Sequence, residues 1–186
     1  MKWLLGVGFG VAVVAGVMAV AVDAQTQKPS GAPQPVSDAV RASWAAAKKN
    51  IRDSADVVPE AHYSFSPVPS VVRTFGQIVA HVAGANYEFC AAAKGEKSPH
   101  AEAAFESLAT KPAIIKAFDD SVVYCDGVFK ALTDRSAGEP ITMPFGQGKG
   151  VRTAALIDNI SHLNEHYGNL VTYMRMKGIV PPTSRR

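Results

Sequence analysis

The stretch HLNEHYGNLVTYMRMKGIVPP, residues 162–182, ends an amphipathic helix and carries two histidines separated by one helical turn. Apolar residues recur here at the spacing of one helix face: Leu156, Ile160, Leu163, Tyr167, Leu170 and Met174. This pattern predicts a helix from about Thr153 to Lys177. Gly178 is the type of residue that stops a helix, and two prolines follow it. We therefore expect a long helix that packs one face against the core.

A stripe of polar residues borders the apolar face of this helix. It contains the following side chains: Asn159, His162, His166, Asn169 and Tyr173. Such a row needs partners, because a buried polar group without a hydrogen bond costs about 1–3 kcal/mol. Histidines four residues apart can direct two ring nitrogens at one point, and imidazole is a ligand for zinc, nickel, copper and iron. The stripe therefore predicts part of a metal site.

The third ligand must come from elsewhere in the chain, because two imidazoles alone bind a metal weakly. His62 lies in a proline-rich connector and His100 in a loop, whereas His81 lies within a predicted helix. A histidine on the flank of an apolar helix face is costly without a partner, so His81 is the best candidate. We predict that His81, His162 and His166 bind one divalent metal ion.

The same residues allow a second interpretation. The sequence HLNEH, residues 162–166, matches the H-x-x-E-H signature of inverzincin proteases. Those enzymes take their third ligand from a distant acidic residue and belong to much larger chains, so this interpretation is disfavoured. Glu165 is our candidate catalytic residue, as a general base or as a group that orients a ligand; a solvated surface glutamate is the alternative. The other candidate helpers are Asn159, Asn169, Tyr173 and Tyr87.

Three more amphipathic segments precede the last helix, and no strand pattern is evident. They span roughly residues 37–56, 74–93 and 110–133. Thr74 and Thr110 are candidate N-caps, with Gln77 closing a capping box around Thr74. Four helices of about 20 residues predict an all-α four-helix bundle. About 16 residues separate the second helix from the third, which suits a crossover between parallel neighbours.

The N-terminus has the composition of a targeting segment. Residues 1–24 are predicted to be a signal peptide, with Lys2 before a long apolar stretch and small residues at the exit. An uncleaved membrane anchor is the alternative, because the apolar stretch is long enough to span a bilayer. Residues 25–35 are polar and proline-rich and predict a linker, followed by one domain over residues 36–186. Both interpretations export the domain to the periplasm or the cell exterior.

The chain has two cysteines, Cys90 and Cys125. Cys90 lies 16 residues after Thr74, and Cys125 lies 15 residues after Thr110. Parallel helices that begin at similar heights would bring both sulfurs to one level. Antiparallel helices would separate them beyond a disulfide's reach of about 7 Å between α-carbons. We predict a disulfide between the second and third helices; two buried free thiols are the alternative.

Two stretches, FSPVPSVVRTFGQIVAHVAGANYEFC and SHLNEHYGNLVTYMRMKGIVPPTS, resemble the DinB-like family of metal-binding helical bundles. That family has one histidine on its second helix and an H-x-x-x-H pair on its last, and His81, His162 and His166 occupy these places. The resemblance, which spans about Val36 to Ser184, implies an up-down-down-up bundle whose second and third helices are parallel. It also implies a divalent metal, often nickel or zinc with iron or manganese as alternatives, and open positions for water.

Two classes of function are compatible with these residues. Relatives in the family include thiol-dependent transferases and isomerases, but their thiols are cytoplasmic, so export argues against thiol transfer here. Three neutral imidazoles leave metal coordination open, which supports a metal-dependent hydrolase or transferase acting on an unidentified small molecule. A non-catalytic bundle that is stabilised by the metal or binds a ligand is the alternative. The net charge of +3 gives no electrostatic case for nucleic acid, and homodimer formation is left open.

Overall fold

A computed structural model describes residues 31–185. The predicted signal peptide, residues 1–24, and residues 25–30 of the predicted linker lie outside the described residues. Within this range the secondary structure comprises α1 (Pro35–Val57), α2 (Phe75–Lys94), α3 (Ala103–Glu106), α4 (Lys111–Ala131), β1 (Pro140–Thr142), β2 (Lys149–Val151) and α5 (Arg152–Met176), with short 3-10 helices at Glu60–His62 and Pro182–Ser184. None of the helices in this range is long and apolar enough to cross a membrane.

The helix boundaries follow from local capping. Thr74 accepts a hydrogen bond from the Gln77 backbone, and the Gln77 side chain accepts one from the Thr74 backbone, which completes the predicted capping box of α2. Thr110 caps α4 with its side chain alone, which accepts a hydrogen bond from the Ala113 amide. Gly178 ends α5 with φ 69°, and the Ile179 amide donates to the carbonyl of Met174 at 2.9 Å. This left-handed turn satisfies the last carbonyls of the helix.

α1 and α4 run antiparallel along one side of the bundle. Trp44 Nε1 donates to Asp126 Oδ1 at 2.6 Å, and two turns further along α1 Arg52 Nε donates to Asp119 Oδ1 at 2.6 Å. The contacts move to higher residue numbers on α1 and to lower residue numbers on α4, so the two helices point in opposite directions. The rings of Trp44 and Phe129 stack with centroids 4.5 Å apart and anchor the apolar core between them.

α2 and α4 run parallel. Asn86 Nδ2 donates to Ser121 Oγ at 3.0 Å, and one turn further along both helices Cys90 is bonded to Cys125. Both contacts advance together along the two helices. The 16-residue connector between them is therefore a crossover, as the sequence predicts, and it contains α3.

α2 and α5 run antiparallel. The His81 and His166 rings lie 4.9 Å apart, whereas Cys90, further along α2, lies beside Asn159, earlier on α5. With α1 antiparallel to α4 and α4 parallel to α2, the order is up, down, down, up. The predicted all-α four-helix bundle and its topology are confirmed.

Cys90 and Cys125 form the predicted disulfide, with α-carbons 5.5 Å apart and both side chains fully buried. Asn159 packs against it, with Nδ2 3.6 Å from Cys90 Sγ and 3.8 Å from Cys125 Sγ. The bond therefore joins α2 to α4 in the centre of the bundle and contacts α5 as well.

The segment between α4 and α5 contains a hairpin that the sequence analysis did not predict. β1 and β2 pair antiparallel, with Ile141 opposite Gly150. Strands of three residues are too short to show an alternating pattern. Gly146 and Gly148 adopt positive φ in the turn, and Ile141 is buried against the core.

Removing the disulfide should destabilise the fold. It closes a segment of 35 residues, for which loop-closure entropy gives about 3–4 kcal/mol. We expect a Cys90→Ala/Cys125→Ala protein to lose about this much free energy of unfolding in urea. Wild-type protein unfolded with reductant serves as the control and should approach the stability of the variant. Two alkylatable thiols in denatured, unreduced wild-type protein would contradict the bond.

Candidate metal centre

The three predicted ligand histidines meet where α2 packs against α5. His162 Nε2 lies 3.1 Å from His81 Nε2 and 3.0 Å from His166 Nε2. All three residues offer a ring nitrogen within 4.8 Å of the others. The structure thus brings together one histidine from the middle of α2 and the pair spaced by one turn on α5.

Burial keeps the three imidazoles neutral at pH 7. Desolvation lowers the pKa of His81 to about 4 and that of His162 to about 3, and it lowers the pKa of His166 as well. The positive charge of Arg73 lowers the pKa of all three in the same direction. The charge of Glu165 raises the pKa of His166, but less than burial lowers it.

The arrangement of the three neutral imidazoles is better explained by a shared cation than by hydrogen bonds among the rings. Each has one N–H and one lone pair, so hydrogen bonds among three converging Nε2 atoms leave lone pairs facing at close range. Nitrogens bound at about 2.1 Å to one ion lie about 3.0–3.4 Å apart for bond angles of 90–110°. The observed separations of 3.0 and 3.1 Å match this range. The donor set is suited to a divalent metal ion.

Glu102, at the start of α3, contacts the opposite side of the His81 ring. Its Oε1 lies 2.6 Å from His81 Nδ1, although not in line with the ring N–H. Desolvation raises the pKa of Glu102, because the carboxylate is partly buried. A carboxylate behind a ligand histidine orients the ring and increases its basicity. Glu102 is therefore a candidate for positioning the His81 ring, and the sequence analysis did not identify it.

Gly84 lets the connector come close enough for this contact. A Cβ at Gly84 would lie 2.9 Å from Glu102 Cγ and 3.0 Å from its backbone Cα and O. A side chain at this position would force the connector to shift, so the connector packs directly on the α2 backbone about one turn beyond His81. A glycine on the buried face of a predicted helix, followed by an acidic connector, was the signal available in the sequence.

The remaining candidate helpers take different places. Asn169 Nδ2 lies 3.4 Å from His166 Nδ1, so this amide can steady the third ligand. Tyr173 Oη donates to the Arg73 carbonyl at 3.0 Å. Asn159 lies at the disulfide rather than at the histidines. Glu165 is exposed on α5, and its catalytic role stays a prediction.

Tyr87 also lies away from the three histidines. Its ring packs against His100, Phe105 and Tyr124, with centroids 4.7, 5.7 and 5.2 Å away. The cluster attaches the crossover connector to α2 and α4. Tyr87 therefore supports the segment that carries Glu102, and it does not reach the site itself.

A cavity of about 510 Å³ opens beside the centre. It is lined by Val71, Val72, Arg73, Ile78, His166, Asn169 and Tyr173. On another side, Phe89 packs on His162 with ring centroids 5.7 Å apart, and Phe145 of the hairpin turn packs on Phe89 at 5.2 Å. His166 thus opens the group of three histidines to the cavity, and Phe89 covers His162 on the other side.

Purified protein should contain about one divalent ion per chain, because the three Nε2 atoms share a single meeting point. We expect His81→Ala, His162→Ala and His166→Ala each to lose most of the bound metal, measured by inductively coupled plasma mass spectrometry. His62→Ala, at a histidine in the connector after α1, is the matched control and should keep it. Full occupancy in any of the three variants would remove that residue from the site.

Removing the Glu102 carboxylate should weaken metal binding without abolishing it. For Glu102→Gln we expect about a 10-fold loss of zinc affinity in competition with a chelator, the usual effect of losing an outer-shell partner. Gly84→Ala should weaken binding similarly, because it displaces an intact carboxylate. Glu96→Gln removes an exposed glutamate paired with Lys94 and serves as the control. Equal losses in Glu102→Gln and Glu96→Gln would rule out a specific role for Glu102.

Several solved structures have this fold. A DinB-like protein from Bacillus cereus ATCC 10987 is 17% identical with a TM-score of 0.63, over 78% of this chain and 95% of that one. YfiT from Bacillus subtilis, described as "a probable metal-dependent hydrolase with an unusual four-helix bundle topology", is 15% identical with a TM-score of 0.60, over 82% and 94%. At such identities the likeness establishes the fold alone.

A mycothiol-dependent maleylpyruvate isomerase is also similar, at 17% identity and a TM-score of 0.59 over 72% of this chain. The chain spans 60% of the length of that isomerase. A search of curated proteins by sequence found no match. The family profile described as the DinB superfamily matches residues 23–170, which is most of the sequence. The chain is therefore a member of the DinB superfamily.

Proposed function

We propose that the protein is an exported, metal-dependent hydrolase that acts on a small molecule. His81, His162 and His166 are the ligands of the divalent ion, with zinc or nickel favoured for an all-imidazole set and iron or manganese as alternatives. The observation that carries the proposal is the position of the three histidines beside an open cavity of about 510 Å³.

The incomplete protein shell supports catalysis over a purely structural role. Structural zinc sites are closed by four protein ligands, whereas catalytic sites keep a position open. Among residues 31–185, the group around the three Nε2 atoms contains only these three ligand side chains. Glu102 does not complete the shell, because it contacts the opposite nitrogen of His81.

When bound, the ion would lower the pKa of coordinated water toward about 7 and so supply a nucleophile for hydrolysis. The protein contributes orientation and charge. Glu102 and Asn169 hold the rings of His81 and His166 from behind. Glu165, one residue before His166, is the proposed general base. Phe89 covers His162 and keeps water from that side.

Export favours hydrolysis over thiol transfer. Water is available in any compartment, whereas the low-molecular-weight thiols used by thiol-dependent members of the family are cytoplasmic. The buried disulfide is compatible with an oxidising compartment.

We propose that residues 1–24 direct the chain out of the cytoplasm, and that membrane attachment arises only if they are retained. The proposed partner is a small-molecule substrate and not a nucleic acid; a homodimer is compatible with this function.

A panel of ester, amide and lactone substrates should reveal activity that depends on the metal. We expect His162→Ala to abolish it, and Glu165→Gln to retain full metal content while losing about 100-fold or more in kcat if the carboxylate is the base. Activity would be measured with zinc- and nickel-loaded protein, with Glu139→Gln, an exposed glutamate in the segment before β1, as the control.

The outcomes separate the alternatives. Reduced metal affinity in Glu165→Gln would make Glu165 a residue that orients a ligand. Unchanged metal binding and activity would leave it as a surface residue. Metal that raises thermal stability, without turnover of any substrate or thiol in the panel, would support a non-catalytic bundle instead.

A further inference from the structure

The cavity beside the metal centre has two chemically different sides. Val71, Val72 and Ile78 provide aliphatic surface, and Val71 and Val72 are 75% and 42% exposed. The polar side is formed by Arg73, His166, Asn169 and Tyr173. Arg73 is the one side chain with a permanent charge among the residues that line the cavity.

Arg73 is fixed at the cavity but keeps free hydrogen-bond donors. Its backbone carbonyl accepts a hydrogen bond from Tyr173 Oη at 3.0 Å. Its guanidinium contacts Glu106 through one pair of atoms, Nη2 and Oε1, 2.9 Å apart, and the side chain is 44% exposed. A guanidinium has five N–H donors in a planar fork that suits a carboxylate. The contact with Glu106 therefore leaves donors for a ligand.

The charged groups that would face the cavity are positive. Arg73 lines it and the ion would lie beside His166, whereas none of the nearby carboxylates, Glu102, Glu106 and Glu165, lines it. Arg73 and His166 line the same cavity, so a ligand held there lies between the guanidinium and the side of the proposed metal centre formed by His166. An anion in the cavity would interact with both positive groups.

We propose that this cavity selects a small aliphatic carboxylate, with the carboxylate on Arg73 and the hydrocarbon chain against Val71, Val72 and Ile78. This specificity rests on the proposed function, because the ion supplies part of the positive charge. The exposed valines favour a hydrocarbon chain over a purely polar anion, since a ligand that covers them removes apolar surface from water. Arg73 is thus a specificity-determining residue for the substrate.

The test compares an acid with its neutral amide. Zinc-loaded protein is titrated with trifluorobutyrate and separately with trifluorobutyramide, and dissociation constants are measured by fluorine NMR. For Arg73→Gln we expect binding of the acid to weaken about 10-fold or more, as expected for the loss of a charged hydrogen-bond pair. Binding of the amide should change by less than about twofold.

Two controls distinguish a direct contact between Arg73 and the carboxylate from an effect of the protein's net charge. Arg135→Gln makes the same change of charge at an exposed arginine that does not line the cavity, and it should leave the acid's affinity unchanged. Arg73→Gln/Glu106→Gln restores the net charge, and it should still bind the acid as weakly as Arg73→Gln.

The zinc content of every variant is measured first. Zinc-loaded Arg73→Gln that binds the acid as tightly as wild type would overturn the inference and leave the metal centre standing. Equal losses in Arg135→Gln, or recovery in the double variant, would also overturn it. A wild-type protein that binds no zinc at the three histidines would overturn the proposed function and this specificity together.

Discussion

The burial of three imidazoles between α2 and α5 is the constraint on which the rest of the structure depends. Their Nε2 atoms meet at 3.0–3.1 Å in a place where desolvation disfavours protonation. Three neutral imidazoles cannot satisfy all of one another's hydrogen-bonding groups, and their arrangement suits a divalent cation. The contact between α2 and α5 therefore both builds the bundle and forms the candidate metal site.

The surrounding contacts stabilise that arrangement from both sides. The disulfide joins α2 to α4 in the centre and touches Asn159, which lies one turn before His162 on α5. On the solvent side, Glu102 and Asn169 contact the outer nitrogens of His81 and His166. The ligand rings are thus held by a rigid core on one side and polar groups on the other, as orientation of a metal ligand requires.

The sequence was most informative where a pattern repeats. Helical spacing placed His162 and His166 on one face, and equal offsets from two N-caps placed Cys90 and Cys125 at one level. Glu102 could not be found in this way, because its position depends on how the connector folds back over Gly84. The hairpin before α5 was missed because strands of three residues carry too little periodicity. Helical periodicity and capping therefore predicted the helices and which of their residues share a face. The path of the connector depends on tertiary packing and could not be predicted from local patterns.

The parallel arrangement of α2 and α4 has a consequence for how the sequence of this protein can evolve. A chain leaving the end of α2, a helix of about 30 Å, must return along its length before α4 can begin. That return path passes His81 and supplies Glu102 and Glu106. Helices carry the candidate ligands, whereas a connector carries the carboxylates beside them, and connecting segments in general accept substitutions and changes in length more readily than helices do. Replacement of this one segment would change the carboxylates beside His81 and Arg73 while leaving the three histidines in place.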